Sequence, residues 1–415
     1  MRVLFAALSE RSHLYPMVPL AWAMTAAGHE VRMVNAPSLT GLVTGTGLVS
    51  APVGRDHGLH QAMKLAPETQ DQDFANWSRL GPGEVDWPAL RDRYESSVRY
   101  GFSPYNDPVV DDMAVLAQSW QPDLVVRDPL CYAGAIAARA CDAVHVRLLW
   151  CADVYGRARQ TYLGLMGQVP PEERVDPLAD WLDERGAPFG VSCDEELIHG
   201  QYTLDTTPPS LRPPTTLPSL SMRYVPYNGD AVWWQWLREA PERPRVCLTL
   251  GTSNTEAYGG DYVSVSDILG ALAPLDIEVV AALLPQQREA LADIPANVRA
   301  VDDVALHTLL PSCSAVIHHG GWGTYATALI NAVPQLTLCT SVADLEWRGR
   351  SLERAGAGIT VHHSEVTADL VLRHTLQILD DPGFASAAQR LRDESAAMPS
   401  PRDMVATLEQ LVAER

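Results

Sequence analysis

The sequence predicts an α/β protein of two doubly wound domains, each a parallel sheet covered by helices, facing each other across a central cleft. Three observations carry this expectation. The chain has 415 residues, too many for one typical domain and a fit for two of about 200 residues each. Short β-rich runs alternate with helical patterns in both halves, as parallel sheets with crossover helices require. Between the halves lies 206–244, rich in proline and tryptophan (Pro208-Pro209, Pro213-Pro214, Trp233-Trp234, Trp236), which reads as a semi-rigid connection packed by its aromatics.

The first domain is expected over 1–205. Its opening strand is Arg2–Leu8. A helix follows over Pro16–Ala27, with Pro16 and Pro19 in the opening turn, where a missing N–H breaks no bond, and Gly28 as its stop. Val31–Asn35 is the next strand. The segment Glu68–Arg93 has weak periodicity and is expected as a long loop with short helices. Strand Leu124–Val126, a helix over Tyr132–Cys141 and strand Val144–Trp150 complete the half.

The second domain, 245–400, restarts with Val246–Leu250, which runs into Gly251-Thr252-Ser253-Asn254. Strands Ile277–Leu284, Val298–Val301, Ala315–Ile317 and Gln335–Cys339 follow, with helices between. The last unit, 401–415, is an amphipathic helix after Pro401. Both domains are therefore expected to be Rossmann-like, with ligand groups on loops at the carboxyl ends of the strands.

Composition excludes several roles. A net charge of −20 argues against nucleic acid as a partner, so any phosphate has to be held locally. No run approaches the ~20 apolar residues of a membrane span, and the first residues lack a signal-type cleavage region. A soluble, cytoplasmic protein is expected. Seven scattered cysteines without a C-x-x-C pair read as reduced core thiols.

The most informative stretch is His318-His319-Gly320-Gly321-Trp322-Gly323-Thr324, directly after Ala315–Ile317. It reads as a buried strand ending in a glycine turn that opens a helix over Tyr325–Asn331. Such a junction offers backbone N–H groups and a positive helix end, which suit a diphosphate. Thr324 adds a hydroxyl, and His319 a donor that can become cationic. An ordinary strand-to-helix turn is the competing reading.

His13 lies after the first strand and before its helix, where a side chain projects into the cleft. An imidazole there can remove a proton from an acceptor hydroxyl near neutral pH. Asp128 follows Leu124–Val126 and is placed to orient His13; a cap or turn before Pro129 is the simpler use of that carboxylate. Asp71-Gln72-Asp73 matches a D-x-D metal spacing, but such spacing recurs by chance in so acidic a chain, and a solvated surface is the expectation. No metal is expected. The aromatics of 58–107 (Trp77, Trp87, Tyr94, Tyr100) read equally as the wall of an apolar acceptor pocket and as core.

These residues carry a resemblance that spans nearly the whole chain. His13 stands in Ser-His-Leu-x-Pro-x-x-Pro-Leu, followed by Pro19-Leu20-Ala21-Trp22-Ala23 and Ala27-Gly28-His29-Glu30-Val31. Further marks are Leu148-Leu149-Trp150, Arg157-Ala158-Arg159-Gln160, Met222-Arg223-Tyr224-Val225 with Tyr227-Asn228-Gly229, Leu309-Leu310-Pro311 through Thr324, and Gly356-Ala357-Gly358-Ile359. The chain resembles GT-B glycosyltransferases that use nucleoside-diphosphate sugars. It looks most like actinomycete antibiotic enzymes that move deoxysugars onto macrolide or aromatic polyketide aglycones, and its middle marks resemble the macrolide desosaminyltransferase group.

By that resemblance His13 is the catalytic base and Asp128 its orienting carboxylate. His319, Gly321, Trp322, Gly323 and Thr324 hold the donor diphosphate, Thr252 and Ser253 cap it from the other side, and Val304 contacts the nucleobase. The family often has an aromatic residue at Asp303 and an Asp-Gln pair at Asp344-Leu345. A leucine there leaves a sugar hydroxyl without a partner, which costs roughly 1–3 kcal/mol and favours a deoxysugar, thymidine-linked donor. Leu345 packing on Trp347 is the plainer reading. The implied reaction is metal-free displacement with inversion. No cofactor is expected beyond the nucleotide sugar, which with a small-molecule aglycone makes up the expected partners. The resemblance adds a cytochrome-P450-like helper protein as a candidate partner, and a homodimer is left open. Competing functions are a sugar-nucleotide epimerase or lipid-directed transferase on the same fold, and a non-catalytic sugar-nucleotide-binding protein. A Rossmann oxidoreductase is disfavoured because no G-x-G-x-x-G follows the first strand.

Overall fold

The computed structural model describes residues 1–65, 75–253, 255, 261–291, 293–302 and 304–415. It contains two all-parallel sheets. The first has seven strands in the order β3-β2-β1-β4-β5-β6-β7: β1 Arg2–Ala6, β2 Glu30–Asn35, β3 Ser50–Pro52, β4 Leu124–Arg127, β5 Val144–Leu148, β6 Tyr202–Asp205 and β7 Ser219–Ser221. The second has six in the order β10-β9-β8-β11-β12-β13: β8 Arg245–Thr249, β9 Glu278–Ala282, β10 Val298–Val301, β11 Ala315–His318, β12 Gln335–Cys339 and β13 Gly358–His362.

Near-continuous apolar runs suit strands covered on both faces. β1 shows it: Val3, Leu4, Phe5 and Ala6 are all fully buried, with Leu4 and Ala6 in one core layer and Val3 and Phe5 in the other. In each sheet the strand order reverses next to the first strand. β1 lies between β2 and β4, pairing Ala6 with Val34 and with Arg127. β8 lies between β9 and β11, pairing Thr249 with His318 on the β11 side. Crevices outside such reversal points are where doubly wound sheets bind ligands.

Several expected boundaries need correction. The connection 206–244 begins too early, because Ser219–Ser221 adds to the edge of the first sheet beside β6. The polar, proline-flanked Ser219-Leu220-Ser221 has no alternating apolar pattern, and an edge strand needs none. The final helix, Pro401–Ala413, does not stand alone. Its Met404, Val405 and Leu408 enter the core beside Val3, Leu20 and Met24 of the first domain. Within 68–93, expected as a long loop with short helices, the helix Trp87–Ser97 begins, with the Asp86 side chain accepting the Ala89 N–H and Pro88 in the first turn.

Trp77, Trp87 and Tyr94 are core residues. Trp77 packs on Tyr94 and Tyr155 and Trp87 on Tyr162, all buried, while Tyr100 is exposed. All seven cysteines are free thiols. Among the described residues no helix is long and apolar enough to cross a membrane.

Candidate active site

Because β1 and β4 are neighbours, the segments that leave them meet. His13 sits on the short helix Arg11–Leu14 after β1, and Asp128 is the first residue after β4. His13 Nδ1 lies 2.5 Å from Asp128 Oδ2. Asp128 is fully buried and its Oδ1 accepts the Leu130 N–H at 2.7 Å, so both oxygens are directed. With Nδ1 given to the carboxylate, Nε2 is the nitrogen left for a substrate proton. Burial works against the imidazolium, but the charge and hydrogen bond of Asp128, aided by Glu10, outweigh it and raise the His13 pKa above its ordinary 6.5.

Sequence reading assigned no role to Trp150. Its ring packs on His13, with centroids 4.2 Å apart and planes tilted by 44°. It follows β5, the next strand over, so its position at a strand's carboxyl end was the available signal.

The second domain repeats the arrangement. Gly251, Thr252 and Ser253 follow β8 while His319 to Thr324 follow its neighbour β11. His318 belongs to the turn rather than to a ligand. It is fully buried, its Nδ1 accepts the Gly320 N–H at 3.0 Å, and its Nε2–H donates to Gln335 Oε1 at 2.9 Å. Burial lowers its pKa to about 3, so it stays neutral. Gly320 takes φ +94°, a conformation that side chains rarely adopt.

His319 lies between two glycines. A Cβ on Gly251 would stand 2.3 Å from its Cε1, and one on Gly321 2.5 Å from its Nε2. Gly251 also has φ +70°. His319, a donor that by residue type can become cationic, is held neutral here: burial, and then the charge of Arg348, lower its pKa to about 4. It is a neutral N–H donor at pH 7. The helix expected over Tyr325–Asn331 starts earlier, spanning Trp322–Ile330, because Gly321 serves as its N-cap without a side-chain cap. The first of its N–H groups to bond internally is that of Tyr325, to Gly321 O at 3.0 Å.

A cleft of about 250 Å³ joins these parts. Thr252, Ser253, Val304, His319, Gly321, Trp322, Gly323 and Thr324 all line it from the second domain. Arg11, Ser12, Tyr15 and Pro16 line it from the first, and Tyr224, Tyr227 and Asn228 from the connection. Asn228 Oδ1 also accepts from His307 Nδ1 at 2.9 Å, fastening the connection to the segment that carries Val304. Asp303 and Asp71-Gln72-Asp73 lie outside the described residues.

Asp344 and Leu345 do not line that cleft. Asp344 is fully buried, with Oδ2 accepting the Ala152 N–H of the first domain at 2.8 Å and Oδ1 accepting from Arg348 Nη2 at 2.9 Å. Both its oxygens are engaged, and the bond to Ala152 ties the two domains together. Burial raises its pKa in spite of Arg348. Arg348 in turn lies 5.5 Å from the ring centres of both Trp322 and Tyr325. The Asp344/Arg348 spacing of four along a helix was the overlooked signal. Leu345 opens the helix Leu345–Arg354 and directs Cδ2 at Gly320, 3.3 Å from where a Cβ would be.

The chain matches two domain models that together cover most of it: Erythromycin biosynthesis protein CIII-like N-terminal domain over residues 22–251 and the corresponding C-terminal domain over 266–411. The chain belongs to this erythromycin biosynthesis protein CIII-like family. It is 47% identical over 422 residues to 10-deoxymethynolide desosaminyltransferase of Streptomyces venezuelae, covering 100% of this chain and 98% of the relative. Aclacinomycin-T 2-deoxy-L-fucose transferase of Streptomyces galilaeus is 41% identical over 426 residues, covering 100% of this chain and 97% of that one. Among solved structures, the glycosyltransferase VinC in complex with dTDP superposes with a TM-score of 0.88 at 38% identity, covering 100% of both chains. Spinosyn forosaminyltransferase SpnP gives 0.82 at 39% identity, covering 100% of this chain and 99% of the other. This CIII-like chain is therefore a glycosyltransferase, and its two parallel-sheet domains match the GT-B fold of these structures.

Proposed function

We propose that the chain transfers a deoxysugar from a dTDP-sugar to a polyketide-type aglycone with inversion at the anomeric carbon. The observation that carries this reading is a carboxylate-held imidazole on one domain together with an uncapped helix end and a neutral histidine on the other. The relatives named above, and the dTDP complex of VinC, support the deoxysugar and the nucleotide. His13 Nε2 takes the proton of the acceptor hydroxyl as that oxygen attacks the anomeric carbon. The bond from that carbon to the diphosphate oxygen breaks, and its electron pair leaves with the diphosphate. The amides of Trp322, Gly323 and Thr324, the positive end of their helix and the His319 N–H stabilise the departing charge, while Thr252 and Ser253 close over it. In this reading Val304 meets the base, and the transfer needs no metal. Leu345 offers no partner to a sugar hydroxyl. An intact His13–Asp128 pair disfavours the binding-only alternative, which has no use for a base.

A thermal-shift panel tests the donor: TDP is expected to raise the melting midpoint well above the shift given by UDP, and equal shifts would remove the thymidine preference. His319→Ala is expected to weaken TDP binding about 10- to 100-fold, the loss of one charge-assisted hydrogen bond worth roughly 1.5–3 kcal/mol. Gly321→Ala should match it by displacing the ring. Calorimetry that finds TDP affinity unchanged in either variant would count against the diphosphate role.

pH gives an independent test. His13 acts as a base only when neutral, so kcat/KM is expected to climb with pH through an inflection above 6.5. The stability term runs the other way. A histidine whose folded pKa is raised stabilises fully below 6.5 and loses that contribution as pH rises through the folded pKa. Asp128→Asn should lower the inflection, and an unmoved profile would separate it from His13.

A cytochrome-P450-like helper and a homodimer belong to the same proposal. Assays of the purified chain with and without such a helper, and its mass in solution, decide both.

A further inference from the structure

The loop that delivers His13 also carries Glu10, which faces a pair of histidines. Glu10 Oε1 lies 2.7 Å from His60 Nε2 and 3.7 Å from His57 Nε2. One ligand atom from each of the three residues lies within 4.8 Å of the others. The His57 and His60 rings meet edge to face with centroids 5.2 Å apart. The Tyr105 hydroxyl donates to Glu10 Oε1 at 2.9 Å. None of these residues lines the diphosphate cleft, and the proposed transfer uses none of them as ligands.

We propose that Glu10, His57 and His60 bind one divalent transition-metal ion of the zinc class. Two imidazole nitrogens and one carboxylate oxygen are a donor set that zinc accepts while keeping a position for water. Ligand atoms about 2.0–2.2 Å from a tetrahedral zinc stand roughly 3.3–3.6 Å apart. The two separations from Glu10 bracket that spacing, and all three ligand atoms lie within 4.8 Å of one another. His57 is 8% exposed and Glu10 15%, which shields those two ligands, whereas His60 at 33% leaves an approach for the ion. Tyr105 supplies the outer hydrogen bond that orients a ligating carboxylate. The chain's net charge of −20 favours a cation in general.

The placement assigns the ion a structural role. His57 precedes the helix Leu59–Leu65 and His60 lies in its first turn, whereas Glu10 precedes the helix that holds His13. A shared ion therefore ties the segment after β3 to the segment after β1 on the acceptor domain. On binding, both imidazoles ligate as neutral groups.

The test uses the full chain stripped with a chelator and titrated with Zn²⁺ by calorimetry against a competing chelator, with Co²⁺ as the spectroscopic probe. The expected result is one equivalent of Zn²⁺, a higher melting midpoint, and visible Co²⁺ absorption typical of four or five ligands. His57→Ala and His60→Ala should each weaken binding at least tenfold, and Tyr105→Phe about tenfold. A His362→Ala, His363→Ala double variant, which removes another close ring pair 4.6 Å apart, should bind as the parent does. The TDP-induced thermal shift reports that each variant is folded. Absence of a one-equivalent site, affinity unchanged in folded His57 and His60 variants, or loss confined to the His362/His363 variant overturns the proposal. So does an anomalous map at the zinc edge that places the ion elsewhere, a measurement that needs no variant.

Discussion

His13→Ala is expected to lower kcat by about 10²–10⁴-fold, the usual range for a positioned general base, while TDP affinity stays within about twofold. The split follows from placement. Ser12 and Pro16 reach the cleft proposed for the diphosphate but His13 does not, being turned onto Asp128 and Trp150. Single-turnover transfer and calorimetry on one preparation give both numbers. Turnover within a few fold of the parent would mean that another group takes the acceptor proton.

Asp344→Ala carries the largest expected effect on stability. Arg348 is 3% exposed and Asp344 is the carboxylate that balances it. Removing one partner of such a buried pair costs about 3–5 kcal/mol because the other charge is left uncompensated. The Ala152 N–H loses its acceptor in the same step. Against a total of about 5–15 kcal/mol this is a large loss, and it appears as a lower urea midpoint. Asp344→Asn keeps an acceptor for Ala152 and is expected to lose less. A carboxylate that only touched the donor sugar from an open cleft would behave differently. Its removal would leave stability within about 0.5 kcal/mol and raise the donor KM.

That contrast shows where sequence reading reaches its limit. The elements around the site were legible because each is local. Arg2–Ala6 is a continuous apolar run, Gly28 ends a helix at φ +91°, and the Gly320-Gly321 turn follows a strand. The residues of the 319–324 turn could be grouped because adjacent residues of one turn share one backbone geometry. The surroundings of Asp344 were not legible because its two partners, Ala152 and Arg348, come from another domain and from one helical turn onward. A carboxylate near a sugar and a carboxylate under an arginine look alike in sequence. The ionisation of His319 was hidden for a related reason. Burial is a property of what packs around a ring, and here it comes from Gly251, 68 positions away, as well as from Gly321. Trp150 belongs to a sequence motif shared with the family, yet its contact with His13 depends on β5 lying one strand beyond β4.

By itself the sequence determined the class of fold and the chemical identity of the groups at the strand ends, and its motifs carried the resemblance to a family. The first two follow from periodicity, from glycine and proline positions, and from residue types, all of which act over a few neighbouring residues. The tertiary structure alone decided which ends meet. Strand order sets β1 against β4 and β8 against β11, which brings His13 to Asp128 and His319 to Gly251. Long-range packing then sets the charge each group carries, because desolvation and neighbouring ions depend on distance through space rather than along the chain.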